Sequence, residues 1–199
     1  MDSPRKTETS PAPELPLYPG IRMNNILLVQ TEADAQQAYT EMHQATTLGF
    51  DTESKPVFAK GQRSDGPHLI QLATERRAYL FAVTPAMNAE VVHAILENPQ
   101  ILKVGFGLGD DVRRLRAKLG VEMANVLDLG RAMRESKHRD MGAKAAVAKF
   151  FGMYLQKSKK TSTSNWAAAQ LSERQILYAA NDAQVALLVY LRWRSINAT

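Results

Sequence analysis

Apolar and polar positions along this chain follow two different periods. Short apolar runs with aromatic or β-branched content read as strands: NILLVQ (25–30), TLGFDTE (47–53), HLIQLAT (68–74), AYLFAV (78–83) and ILKVG (101–105). Elsewhere apolar residues recur every three to four places, the period of a helix with one buried face. Thr31 opens such a segment, with Asp34 in the capping-box slot. Pro85 opens another, to about Asn98, and further helices are expected over 110–119 and 141–151. A short extended piece falls at 126–129, a polar, basic loop at 156–165, and a last helix runs from a capping Ser172, with Gln175 in the box position, to about Arg194. The polar turn Glu75-Arg76-Arg77 joins two strands as a hairpin, which excludes a purely parallel sheet. A strand-rich first half passing into a helix-rich second half predicts an α/β or α+β domain with a mixed sheet.

A length of 199 residues fits one domain. Residues 1–20, rich in proline, serine and threonine, are expected to be a mobile tail ahead of a single domain over 21–199. They lack an apolar signal core, so an intracellular place, cytoplasmic or nucleoid/nuclear, is expected. No apolar run reaches the ~20 residues of a membrane span. The absence of cysteine excludes disulfides, thiolate zinc sites and cysteine nucleophiles, and His43, His68, His93 and His138 have no ligand spacing. The net charge of +5 suits a polyanionic partner such as nucleic acid. Basic residues cluster at Arg113, Arg114, Arg116 and Lys118, over 134–139, and at Lys157, Lys159 and Lys160.

The acids change the picture most. Asp51 and Glu53 are two apart on a strand, so both face one side of the sheet. Tyr178 and Asp182 are four apart on a helix, stacked on a face that continues as Val185 and Val189. In the helix after ILKVG, Asp111 lies about 70° from the centre of the apolar face and Asp110 about 170° away, so Asp111 reaches inward and Asp110 suits capping. Each pattern alone has a plain structural reading: exposed acids at a strand end, a tyrosine–aspartate hydrogen bond, a helix cap. Together they place four carboxylates at element ends bordering the core, with no counter-charge in the motifs. Their convergence would need divalent cations, and all-oxygen ligands select Mg²⁺ or Mn²⁺.

Five motifs in this order, FDTES, LIQLAT, VGFGLGDD, SNW and YAANDA, resemble those of the DEDD-type 3′–5′ exonucleases. Tyr178, four residues before Asp182, places the likeness in the DEDDy branch, among members of the Werner type, and it runs from about Ile26 to Tyr190. The resemblance implies an RNase H-like fold, a mixed central β-sheet flanked by α-helices. It implies Asp51, Glu53, Asp111, Tyr178 and Asp182 as catalytic residues, the four acids as ligands of two divalent cations, and Tyr178 as the residue orienting the attacking water. It also implies release of nucleoside 5′-monophosphates from single-stranded or recessed 3′ ends of DNA or RNA, with no membrane partner. Lys159, Lys160 and Asn165 are candidates for contacts to the strand, and Trp166 for stacking on a base or anchoring its loop. Lys157 and Lys55 are further candidates for phosphate, and Phe58 and Phe106 for lining the terminal nucleotide. The competing readings are a catalytically silent nucleic-acid-binding module of the same fold, and structural acids with basic loops that bind an acidic protein.

Overall fold

The computed structural model describes residues 14–57, 64–136 and 139–197. Phe58, His138 and most of the N-terminal segment lie outside them. Six strands form one sheet in the order β1-β4-β3-β2-β5-β6: β1 (Ile26–Val29), β2 (Thr47–Glu53), β3 (Leu69–Ala73), β4 (Ala78–Ala82), β5 (Leu102–Gly105) and β6 (Val126–Asp128). The β2–β3 and β3–β4 pairs are antiparallel and the other three parallel, which is the mixed sheet that the hairpin spacing requires. The helices are α1 (Glu32–Met42), α2 (Ala89–Leu96), α3 (Gly109–Leu119), α4 (Leu129–Ala132), α5 (Ala143–Phe151), α6 (Lys159–Ser162) and α7 (Glu173–Asn197). Among the described residues no helix is long and apolar enough to cross a membrane.

The two sheet faces are covered differently. Leu48 and Phe50 of β2, Ile70 and Leu72 of β3, and Tyr79 and Phe81 of β4 pack under α1, α2 and α3. The opposite face carries smaller residues, Ala73 and Ala78 with Leu69 and Leu80, against Ala179, Ala180 and Ala183 of α7. This stripe of alanines lets α7 lie close on the sheet. Gly49 takes the closeness furthest: a Cβ there would stand 1.9 Å from the carbonyl oxygen of Ala183. Gly49→Ala is therefore expected to push α7 off β2 and cost about 2 kcal/mol or more in urea unfolding. An unchanged midpoint would contradict this account of the contact.

Local chemistry sets the element ends. Thr31 and Asp34 form the expected capping box on α1, and Ser172 and Gln175 bond reciprocally at the start of α7. Pro85 does not open α2. It follows Thr84 in a turn closed by Met87 N–H on the Thr84 carbonyl, a place that suits its fixed φ, and Asn88 caps the helix by accepting from Val91 N–H. Nor does Asp110 cap α3; its carboxylate bonds Arg113, and Asp128 at the end of β6 accepts from the N–H groups of Gly107 and Leu108 instead. The loop expected at 156–165 contains α6, capped by Ser158. Within the stretch expected to be a tail, residues 14–20 are described, and backbone bonds tie some of them to the domain. Tyr18 N–H donates to the Tyr154 carbonyl, Tyr154 N–H to that of Pro16, and Ile21 N–H to Asn181 Oδ1.

Candidate active site

The pairing of β2 with β5 ends at Gly49 and Val104, whereas its pairing with β3 runs on to Glu53. The last residues of β2 thus have a neighbour on one edge only, and the first turn of α3 lies against the other. There Thr52 Oγ1 donates to Asp111 Oδ1. Alternation puts Asp51 and Glu53 on the same sheet face as Gly49, the face on which α7 rests. The close approach at Gly49 and Ala183 therefore brings the neighbouring Asp182 toward Asp51. The side chain of Asp182 is 7% exposed and makes an ion pair with Lys157 Nζ at 2.8 Å. The same ammonium stands 5.4 Å from the centre of the Tyr178 ring. The same ring packs on Trp166, with centres 6.0 Å apart.

The acids share one electrostatic environment. Burial, then Asp182 and Asp111, push the Asp51 carboxyl well above its ordinary range. Burial, then Asp51 and Asp182, push Glu53 up to about 9. Asp111 is raised chiefly by burial, with the Thr52 hydrogen bond opposing. Asp182 is raised by burial too, against the pull of Lys157 and of a hydrogen bond from Tyr178. Burial also disfavours the Lys157 ammonium, but Asp182 more than offsets this and holds it charged. The Tyr178 hydroxyl is raised by burial and by Asp182, which keeps it protonated.

Such a set of donors fits divalent cations. Four carboxylates that resist ionisation are short of positive charge, and one lysine, bonded to one of them, is too little to balance them. All the donor atoms are hard oxygens, the preference of Mg²⁺ and Mn²⁺. Among the described residues, however, no three acids are gathered tightly enough to hold an ion as they stand. Asp111 is turned to Thr52, away from the other three. Lys157 supplies a counter-charge for Asp182 alone. Lys157→Met is expected to lower stability in EDTA by about 1–3 kcal/mol, the range for leaving a buried polar group unpaired. Urea unfolding measures it, and an unchanged midpoint would contradict the role of the ion pair.

The peripheral candidates separate. Lys159 and Lys160 are exposed on α6. Asn165 is exposed, but its Oδ1 accepts from Ala167 N–H and its carbonyl from Gln175 Nε2, so it works in shaping the turn. Trp166 is 2% exposed and donates from Nε1 to the Ser162 carbonyl. Its rings are spent on the core and on Tyr178, which is the anchoring alternative and not base stacking. Lys55 is exposed, with its backbone N–H on His68, and Phe106 packs into the cluster around α5 and α7. The basic stripe of α3 is partly neutralised: Arg113 pairs with Asp110, and Arg116 with Glu122. A cleft of about 710 Å³ lies away from the acids, between α6 and the start of α7, bordered by Lys160, Arg174 and Leu177. A smaller one of about 200 Å³ is lined by Lys157, Tyr178 and Asp182 together with Leu17 and Tyr18.

Sequence reasoning did not single out Thr52, and it left Lys157 in a peripheral loop. The shortage of counter-charge beside Asp182 was the one signal pointing to a half-buried lysine.

The pattern of a family described as 3′–5′ exonuclease matches residues 26–195. The mouse bifunctional 3′–5′ exonuclease/ATP-dependent helicase WRN is 28% identical over 155 residues, 76% of this chain but 11% of that protein. Exonuclease 3′–5′ domain-containing protein 2 of Drosophila melanogaster is 32% identical over 145 residues, 72% of this chain and 24% of that protein. The chain thus spans less than a quarter of the length of either relative. Among solved structures, Trypanosoma brucei RNase D in complex with RNA U12 superposes with a TM-score of 0.72 at 22% identity, covering 84% of this chain and 61% of that one. At that identity the superposition establishes a shared fold, a mixed sheet flanked by helices.

Proposed function

Because this chain belongs to the 3′–5′ exonuclease family, we propose that it hydrolyses the terminal phosphodiester bond at the 3′ end of a nucleic acid strand and releases nucleoside 5′-monophosphates with the help of two divalent cations. The observation that carries this reading is the set of four carboxylates at the open end of β2, each with its affinity for protons raised and only one bonded to a lysine. The RNA bound to the trypanosomal RNase D supports nucleic acid as the substrate class.

Asp51, Glu53 and Asp182 are assigned to one cation, and Asp51 with Asp111 to the other. When bound, the cations supply a lowered pKa for the attacking water and charge stabilisation for the leaving 3′ oxygen. Tyr178 stays protonated near neutral pH and is packed against Trp166 and Lys157, so it orients the water by a hydrogen bond and does not act as the base. Lys157 holds the Asp182 side chain. Lys159 and Lys160, exposed on α6, are placed to meet the phosphates of the strand, an attraction that weakens as salt rises.

A 5′-labelled oligonucleotide tests the reading. With Mg²⁺ or Mn²⁺, single-stranded or recessed DNA, or RNA, is expected to give a ladder of products shortened from the 3′ end, and EDTA to abolish it. No shortening of any of these substrates with either metal would overturn the reading.

A further inference from the structure

The hydrogen-bonding capacity of one buried side chain is unspent. Gln71 of β3 is 0% exposed, and among the described residues neither its Oε1 nor its Nε2 has a hydrogen-bond partner. The other buried glutamines are satisfied: Gln175 donates to Ser164 Oγ and the Asn165 carbonyl, and Gln184 to the Glu75 carbonyl. An orphaned buried amide carries a penalty that leucine or methionine in its place would not. Its neighbours, Leu69, Ala73 and Leu80 with Ala179, Ala180 and Ala183, form an otherwise apolar layer.

Position supplies the reason for a glutamine here. The antiparallel register sets Gln71 directly opposite Asp51, and side chains paired in this way share a sheet face with Cβ atoms roughly 4.5–5.5 Å apart. A carboxylate one bond beyond one Cβ and an amide two bonds beyond the other meet by side-chain rotation alone. We infer that Gln71 is a positioning residue for Asp51: its Nε2 donates to the Asp51 carboxylate when a cation is bound there. The inference rests on the cation-binding reading proposed above. A neutral donor suits the task, because it fixes and stabilises a charged carboxylate without adding a positive charge that competes with the cation.

The test is a Mn²⁺ titration followed by thermal unfolding of the whole chain, comparing wild type with Gln71→Met, which keeps the volume and removes the amide. We expect the metal-free melting temperature to be unchanged or higher and the half-saturating Mn²⁺ concentration to rise about tenfold or more, as for other partners of metal-binding carboxylates. Gln184→Met, which breaks a satisfied bond, should lower the melting temperature and leave the Mn²⁺ midpoint in place. A wild-type midpoint in Gln71→Met overturns the inference, as does an equal shift in Gln184→Met. If Gln71→Met does not fold, Gln71→Asn, which withdraws the amide by one methylene, is read by the same criterion. A wild-type protein whose melting does not respond to Mn²⁺ overturns the cation-binding reading itself, and the Gln71 inference with it.

Discussion

Asp51→Asn is expected to slow removal of 3′ nucleotides by about 10³-fold or more while leaving the metal-free protein as stable as wild type, or more so. The loss of rate follows from the proposed sharing of this one carboxylate between two cations. It lies at the upper end of what removal of a single preorganised charge costs, and the interdependence of groups at such a centre enlarges it. The gain in stability has a separate cause. Burial, Asp182 and Asp111 all oppose ionisation of Asp51, so an uncharged amide removes a cost at neutral pH. Asp182→Asn should be as inactive but less stable, because it strands the Lys157 ammonium, whose ion-pair partner is Asp182. Rates on a 5′-labelled oligonucleotide and urea unfolding in EDTA separate the two variants. An Asp51→Asn protein within tenfold of the wild-type rate would contradict the assignment.

Stability without metal is expected to fall as pH rises, the reverse of what ordinary paired carboxylates produce. Glu53, ordinarily near 4.5, is pushed up to about 9 in the folded chain. Between those values the folded state keeps a proton that the unfolded state has released. The contribution of Glu53 is therefore present at low pH and lost progressively from about 4.5 to 9. Asp51, Asp111 and Asp182 are shifted the same way. Opposing groups act mainly outside the middle of this range. Glu41, tied to Tyr79, is lowered and titrates below 4.5; His68, lowered by burial and by Lys118, acts below its ordinary 6.5. Lys103, lowered by burial to about 8, acts above that value. Between about pH 6.5 and 8 the acids should thus set the slope. Saturating Mg²⁺ should remove it, because metal binding competes with the retained protons. Glu53→Gln should flatten the metal-free slope. Urea unfolding in EDTA at pH 6.5 and 8 measures the effect, and stability that rises over this interval would contradict it.

Much of this was legible in the sequence because it depends on short-range rules. The five motif residues sit on the elements their spacing implied, Asp51 and Glu53 on β2, Asp111 on α3, Tyr178 and Asp182 on α7. Asp111 faces inward and Asp110 outward, as helical phase required. What escaped depends on long-range packing. Nothing local marks Lys157 as different from Lys159 and Lys160; its ion pair exists because the chain passes the Tyr178–Asp182 stretch of α7. Gln71 sits in a strand whose other residues are apolar, and only the register with β2 places it opposite Asp51. Pro85 was assigned to a helix start by propensity, and the turn with Thr84 competed successfully for the same fixed φ. Trp166 was open to two roles, and its burial selected the anchoring one.

The central claim is that Asp51, Glu53, Asp111 and Asp182 surround bound divalent cations. Anomalous diffraction from crystals grown with Mn²⁺ tests it most directly. Two manganese peaks within coordination distance of these four carboxylates, with Asp51 touching both, is the result this account predicts. Well-ordered carboxylates with no manganese between them at saturating Mn²⁺ would contradict it.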